Sequence, residues 1–162
     1  MRRLLLVFGC LCFLFLTACD KKRVFDQYSS LPGQWHRDSL VSLQFTAPDT
    51  VNTYNLFINL RNNSDYQFSN LFLITQMNFP NGKVISDTLE YQMATPSGEW
   101  LGTGFGDLKE NKLWYKESIR FSEAGEYVID IQHAMRQSGK TEGIGELEGI
   151  TDVGFRIEHT EN

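Results

Sequence analysis

Hydrophobic residues recur with a period of two along most of this chain. Val41, Leu43 and Phe45 alternate with Ser42 and Gln44, and Tyr54, Leu56, Ile58 and Leu60 alternate with Asn55, Phe57, Asn59 and Arg61. Successive side chains of a strand point to opposite faces, so such runs put one face in a core and turn the other toward solvent or a second layer. The stretch Phe68 to Phe79 is apolar on both faces around Leu71-Phe72-Leu73-Ile74, as a central strand should be. Asn81-Gly82 follows, and Asn-Gly between two alternating runs predicts a β-hairpin with a type I′ turn. Further strands are expected over Val84 to Met93, Leu113 to Phe121, Tyr127 to Met135 and Val153 to Glu158. No window combines helical spacing with caps, and no repeat is present. The pattern predicts an all-β fold: a single antiparallel β-sandwich, immunoglobulin-like or jelly-roll-like, over residues 35–162. Gly125 leads into a strand that opens with Tyr127, which fits either a tyrosine corner or a plain turn before an aromatic residue.

The N-terminus has a different character. Arg2 and Arg3 precede an apolar run from Leu4 to Leu16, too short to cross a bilayer, which takes about 20 residues. The run has the length of a signal-peptide core and ends in Leu16-Thr17-Ala18-Cys19, similar to a bacterial lipobox. Cleavage is expected between Ala18 and Cys19, with diacylglycerol and an N-acyl chain such as palmitate on Cys19. This divides the chain into a signal peptide (1–18), a lipidated N-terminus and tether (19–34) and the sandwich. Two or more acyl chains hold a protein stably at a membrane, where one does so only marginally.

Processing changes the composition that matters. Cys10 and Cys12 leave with the signal, so no disulfide, thiolate metal site or cysteine nucleophile is expected in the remaining 144 residues. Loss of Arg2 and Arg3 leaves 13 basic against 20 acidic residues, a charge of −7. That balance argues against nucleic-acid binding, which needs a basic surface to neutralise phosphates.

Signals of catalysis are absent from the sequence. His36, His133 and His159 have no metal-ligand spacing, and His133 shares the inward parity of Tyr127, Ile129 and Ile131, as a strand histidine in the core would. Gly102-Thr103-Gly104-Phe105-Gly106 lacks the Gly-Lys-Ser/Thr ending of a phosphate loop and reads as a flexible connection. Glu142, Glu146 and Glu148 lack the order of a calcium loop and read as a solvated loop. No enzyme activity, metal or cofactor is expected beyond the lipid on Cys19. The aromatic content suggests a binding role instead, with Trp100 and Trp35 as the candidate interaction surface; Trp100, in a loop context, fits either a partner anchor or a side chain folded back to plug the end of the sandwich.

A longer set of residues carries a family resemblance. It comprises Trp35 with Asp38-Ser39, Asp49-Thr50, Tyr54-Asn55-Leu56, Leu60-Arg61-Asn62, Tyr66, Ser69-Asn70-Leu71 and Asp87-Thr88-Leu89-Glu90-Tyr91. Pro96, Gly98, Trp100-Leu101-Gly102, Gly104, Met135-Arg136, Gly149-Ile150, Asp152-Val153-Gly154 and Arg156-Ile157 complete it. In order and spacing the chain resembles the gliding motility lipoproteins of the GldH family, from the Bacteroidetes. The resemblance implies an envelope lipoprotein that serves the gliding apparatus and works beside the type IX secretion system, with other envelope proteins as partners. It supplies no catalytic residues. Asp20-Lys21-Lys22-Arg23 after the lipobox is not an acid-rich export tract, which favours a periplasm-facing domain on the outer membrane, with the inner membrane as alternative. Two roles follow as expectations: a non-enzymatic protein-interaction or assembly module, or a carbohydrate-binding lipoprotein using Trp35, Trp100 or Trp114 as stacking platforms, which would show as two aromatic side chains exposed and coplanar on one face.

Overall fold

A computed structural model describes residues 20–160, so the signal peptide and the Cys19 lipidation site lie outside the described residues. Among those residues there is no helix, and ten strands account for the regular structure. In chain order they are β1 (Arg23–Ser30), β2 (Gln34–His36), β3 (Val41–Thr46), β4 (Tyr54–Asn62), β5 (Asn70–Asn78), β6 (Val84–Gln92), β7 (Lys109–Ile119), β8 (Glu126–His133), β9 (Glu146–Glu148) and β10 (Ile150–His159). Two four-stranded antiparallel sheets run β1-β10-β4-β7 and β3-β8-β5-β6, and β2 pairs with β9 in a short ribbon.

The pairing is nested. The first long strand pairs with the last (β1 with β10), then β3 with β8, β4 with β7 and β5 with β6. A ribbon folded over itself in this way has jelly-roll connectivity. An immunoglobulin-like sandwich divides its strands differently, as ABED and CFG. Of the two sandwich types expected, the strand order follows the jelly roll.

The inner faces meet in an aromatic layer. Phe45 on β3 stacks on Tyr127 at 5.6 Å and lies 5.2 Å from Phe155 on β10, 5.6 Å from Phe25 on β1 and 5.8 Å from Phe121. These rings bridge the two sheets, and burying them is the main gain of the fold. The alternation seen in the sequence gives the core directly: Val41, Leu43, Leu56, Ile58, Leu60, Ile129, Ile131 and Ile157 are all buried.

Two differences from the sequence expectation have clear causes. Residues 23–30, assigned above to a tether, are β1, so the folded domain starts at Arg23 rather than Trp35. Their sequence does not alternate because β1 is an edge strand with mixed faces. Phe25 turns inward on Phe45, while the outward face carries both Asp26, paired with Arg156 at 2.6 Å, and the aromatic Tyr28, whose hydroxyl donates to Glu110 at 3.1 Å. The β5–β6 hairpin forms as expected, but not with a type I′ turn. Phe79 N–H donates to Lys83 O at 2.8 Å and Gly82 N–H to Phe79 O at 3.0 Å, with φ +85° at Gly82 and none at Asn81. Pro80 sets the φ of a type I turn at its first central position, and Gly82 takes the left-handed place after it.

The tyrosine corner is present, its hydroxyl donating to Glu123 O at 3.0 Å. Removing that hydroxyl in Tyr127→Phe is expected to lower stability by about 1 kcal/mol while keeping the fold. Gly149 demands more, since at φ +82° an added Cβ would lie 2.1 Å from Tyr66 N. Gly149→Ala is expected to cost about 3 kcal/mol or more, since overlap with backbone adds to left-handed strain. Urea unfolding of the signal-less domain measures both.

Candidate functional site

The nested pairing sorts the connections by length between the two ends of the sandwich. One end holds short turns: Ala47 to Thr53, the Phe79–Lys83 hairpin and Arg120 to Gly125, together with both ends of the described chain. The other holds the long segments 31–40, 93–108 and 134–149, with the connection 63–69 beside them. Loops carried by a rigid scaffold are where binding residues concentrate, so the long-loop end is the candidate site.

Its base is a plug of large side chains. Trp35 on β2 is fully buried, donates through Nε1 to Ser39 O at 3.0 Å and meets the ring of His133 edge-on at 5.4 Å. It sits opposite Leu147 of β9, also fully buried, so the segment read as a solvated acidic loop is a strand with one buried residue between exposed Glu146 and Glu148. Trp100 is partly buried, 6.0 Å from the ring of Tyr66, whose hydroxyl donates to Asn70 O at 2.6 Å. Both tryptophans chosen as the interaction surface therefore serve the interior: Trp35 wholly, Trp100 as a buttress. Of the two readings of Trp100, its packing on Tyr66 follows the plug, since a large aromatic body buries much apolar area at the open end of a sandwich.

Above the plug stands a small flap. Thr103 and Glu110 exchange hydrogen bonds of 2.9 and 2.7 Å, and Lys109 Nζ donates to Gly104 O at 3.1 Å. Gly104 adopts φ +152°, and a Cβ there would lie 2.3 Å from Leu108 O. The glycine-rich stretch is thus a closed turn rather than a loose connection. Its tip raises Phe105 to full exposure, with Leu101 and Leu108 also exposed on the same segment. The sequence reading passed over Phe105. Its signal was an aromatic residue between two glycines, outside any alternating run.

Trp114 is the tryptophan that does reach solvent, 54% exposed on the outer face of the β1-β10-β4-β7 sheet. It packs 4.4 Å from Phe57, over which Lys112 also lies, and Lys112 pairs with Glu158 at 2.6 Å. A groove of about 450 Å³ runs beside it, lined in part by Asn55, Lys112 and Glu117. With Trp35 buried and Trp100 partly so, the three tryptophans present no exposed coplanar pair for a sugar. Glu158 is buried, which would raise its pKa, but hydrogen bonds from Lys112 and Arg156 outweigh burial and hold it below the usual carboxylate range.

His133 is a core residue, as its parity indicated, and neither ring nitrogen finds a hydrogen-bond partner among the described residues. Burial lowers its pKa against the opposing pull of the Trp35 backbone, with His36 and Arg37 acting in the same sense as burial and Glu146 against it. Among the described residues no group of three or more His, Cys, Asp or Glu could hold a metal ion.

Comparison with known proteins agrees with the resemblance read from the motifs. The model of the GldH lipoprotein family matches residues 23–157, beginning at the first residue of β1. The chain belongs to the GldH lipoprotein family. It is 60% identical over 149 residues to "Gliding motility lipoprotein GldH homolog" of Christiangramia forsetii, covering 92% of this chain and 91% of that protein. It is 53% identical over 145 residues to "Gliding motility lipoprotein GldH" of Flavobacterium johnsoniae, covering 90% of each. Among solved structures, the VP2 subviral particle of infectious bursal disease virus aligns with a TM-score of 0.44 at 13% identity. The alignment covers 86% of this chain and 33% of that one.

Several residues that carried the GldH resemblance have structural work. Asp49 accepts from Val51 N, Asn52 N and the Tyr54 hydroxyl at 2.5–2.8 Å; Asp87 accepts from the Tyr115 hydroxyl at 3.0 Å; Gly154 leaves room for the ring of Tyr28. Two measurements follow. Trp35→Ala is expected to cost about 3–5 kcal/mol, as for a deleted core tryptophan, whereas Phe105→Ala should stay within about 0.5 kcal/mol of the parent. For His133, the unfolded chain takes up the proton near the ordinary histidine pKa of about 6.5, and the folded one only at lower pH. Stability should therefore fall as pH drops below about 6.5, and His133→Leu should flatten that fall in thermal melts between pH 7 and 5.

Proposed function

We propose that this chain is a lipid-anchored, non-enzymatic assembly module of the gliding-motility envelope machinery. Acylated on Cys19, it faces the periplasm from the outer membrane and docks another envelope protein of that apparatus through its long-loop end. Membership in the GldH family supports the setting. The observation that carries the docking role is the exposed Phe105 on a closed flap, an aromatic anchor held out at little conformational cost. Acidic side chains outnumber basic ones on the loops of this end: Asp65, Glu99, Asp107, Glu142, Glu146 and Glu148 are all exposed, beside exposed Arg37, Arg136 and Lys140. A partner with an apolar pocket rimmed by basic residues would complement it.

A photo-reactive amino acid at position 105, in cells of the parent organism, is expected to cross-link to a component of the gliding or secretion apparatus. The same group at position 84, on the opposite end, should not. Equal yields from both positions, or none from 105, would count against the docking role. Phe105→Ala should abolish the cross-linked partner's co-purification without lowering the melting temperature. For the anchor, Cys19→Ala should leave the precursor unlipidated, so that it stays uncleaved or moves to the soluble fraction; unchanged processing and fractionation would exclude Cys19 as the lipid site.

A further inference from the structure

We propose that the domain is seated on its membrane rather than tethered to it, its short-turn end resting against the phospholipid headgroups. The inference rests on the acylation of Cys19 proposed above.

The first argument is the length of chain left free. A lipidated Cys19 has its backbone at headgroup level, and Asp20 is one peptide unit away, about 3.8 Å between Cα atoms. Asp20 is already bound to the sheet. Its carboxylate pairs with the guanidinium of Arg156, its Oδ1 accepts from Lys22 N at 3.3 Å, and its carbonyl accepts from Arg23 N at 3.3 Å. Arg156 is held in turn by Asp26 and Glu158, each at 2.6 Å, and its side chain is only 12% exposed. His159 N–H donates to Lys22 O at 2.9 Å, which extends the sheet one residue beyond β1. No spacer remains between the acyl chains and the fold.

The second argument is what that end presents. Its turns are short, and the loop after β3 is stapled by Asp49, so Val51 stands 71% exposed on a rigid turn. Thr160 N–H reaches Thr53 O at 3.4 Å, which puts this loop beside the strand end nearest the anchor. Lys21 and Arg23, both exposed, follow the anchor directly, and Lys83 and Arg120 are exposed on turns of the same end. Cations able to meet lipid phosphates thus stand there among the exposed carboxylates of Asp20, Glu117 and Glu126. Phe105 and the exposed acidic side chains of the long loops lie at the opposite end. β10 has ten residues, so the Phe105 flap is held about 30 Å from the bilayer surface. Seating sets both the height and the direction in which the flap is offered.

The test uses the full lipidated protein in vesicles of phosphatidylethanolamine and phosphatidylglycerol. Cys19 carries its sulfur in a thioether, so Val51→Cys or Phe105→Cys supplies a single reactive thiol for a fluorophore. With headgroup spin-labelled lipid as quencher, the probe at 51 is expected to be quenched several-fold more than the probe at 105. A flexible Gly/Ser insert of about 15 residues between Cys19 and Asp20, spanning about 20 Å on average, should bring quenching at 51 down to the level at 105. Equal quenching at 51 and 105 in the parent, or an insert without effect, would overturn the seating while leaving the anchor intact. Protein that fails to float with the vesicles would overturn the anchor and the seating with it.

Discussion

The aromatic layer between the two sheets is the contact on which the rest depends. Each sheet has one apolar face, and neither could stay out of water alone. Phe45 sits where the two faces meet, touching Phe25, Phe121, Tyr127 and Phe155, so residues from both ends of the chain converge on one ring. Its position also closes the sandwich sides. The edge strands β1 and β3 approach each other through Phe25 and Phe45, while Tyr91 on β6 donates to the Trp114 carbonyl of β7 at 2.6 Å. Edge strands left open invite pairing with other chains, and here they are drawn together in pairs.

That packing dictates a polarity. Nesting the first strand against the last brings the start of the fold to the end with short turns and sends the long loops to the other. The N-terminal end is fastened by ions and backbone hydrogen bonds around Arg156, whose guanidinium serves three carboxylates at once. Burial disfavours its charge, but the hydrogen bonds to Asp20, Glu158 and Asp26 outweigh that and raise its pKa further. The opposite end is plugged by Trp35, Tyr66 and Trp100, and this plug gives the Phe105 flap a firm base. The start of the fold and the Phe105 flap are thereby separated by the length of a strand.

The GldH resemblance and the structure inform each other at particular residues. Asp49, Tyr54, Asp87, Gly149 and Gly154 were quoted as motif fragments without a role. In the fold they staple a turn, support Tyr115, admit the backbone of Tyr66 and make room for Tyr28. The motif of this family therefore reads largely as a description of a scaffold. Phe105, the residue best placed to meet a partner, lies outside those fragments.

Much of the architecture was legible in the sequence by itself. Strand periodicity is local and exact, so β3, β4, β5, β6, β8 and the inward parity of His133 followed from residue spacing, as did the hairpin at Asn81-Gly82. The lipobox-like ending at Cys19 is likewise a linear signal. What only the tertiary structure decided depends on partners distant in the chain. The outward side chains of β1 find their partners in distant strands, Asp26 at Arg156, Tyr28 at Glu110 and Ser30 at Asp152, so nothing in the local sequence marks it as a strand. β9 hides one buried leucine among glutamates because Trp35 lies opposite it. Trp100 and Trp35 look like surface anchors until the open end of the sandwich needs filling, and Phe105 is exposed because the flap beneath it is closed by its own backbone. Local pattern specifies which residues form strands; long-range pairing decides which aromatic side chains fill the core and which, like Phe105 and Trp114, are left exposed.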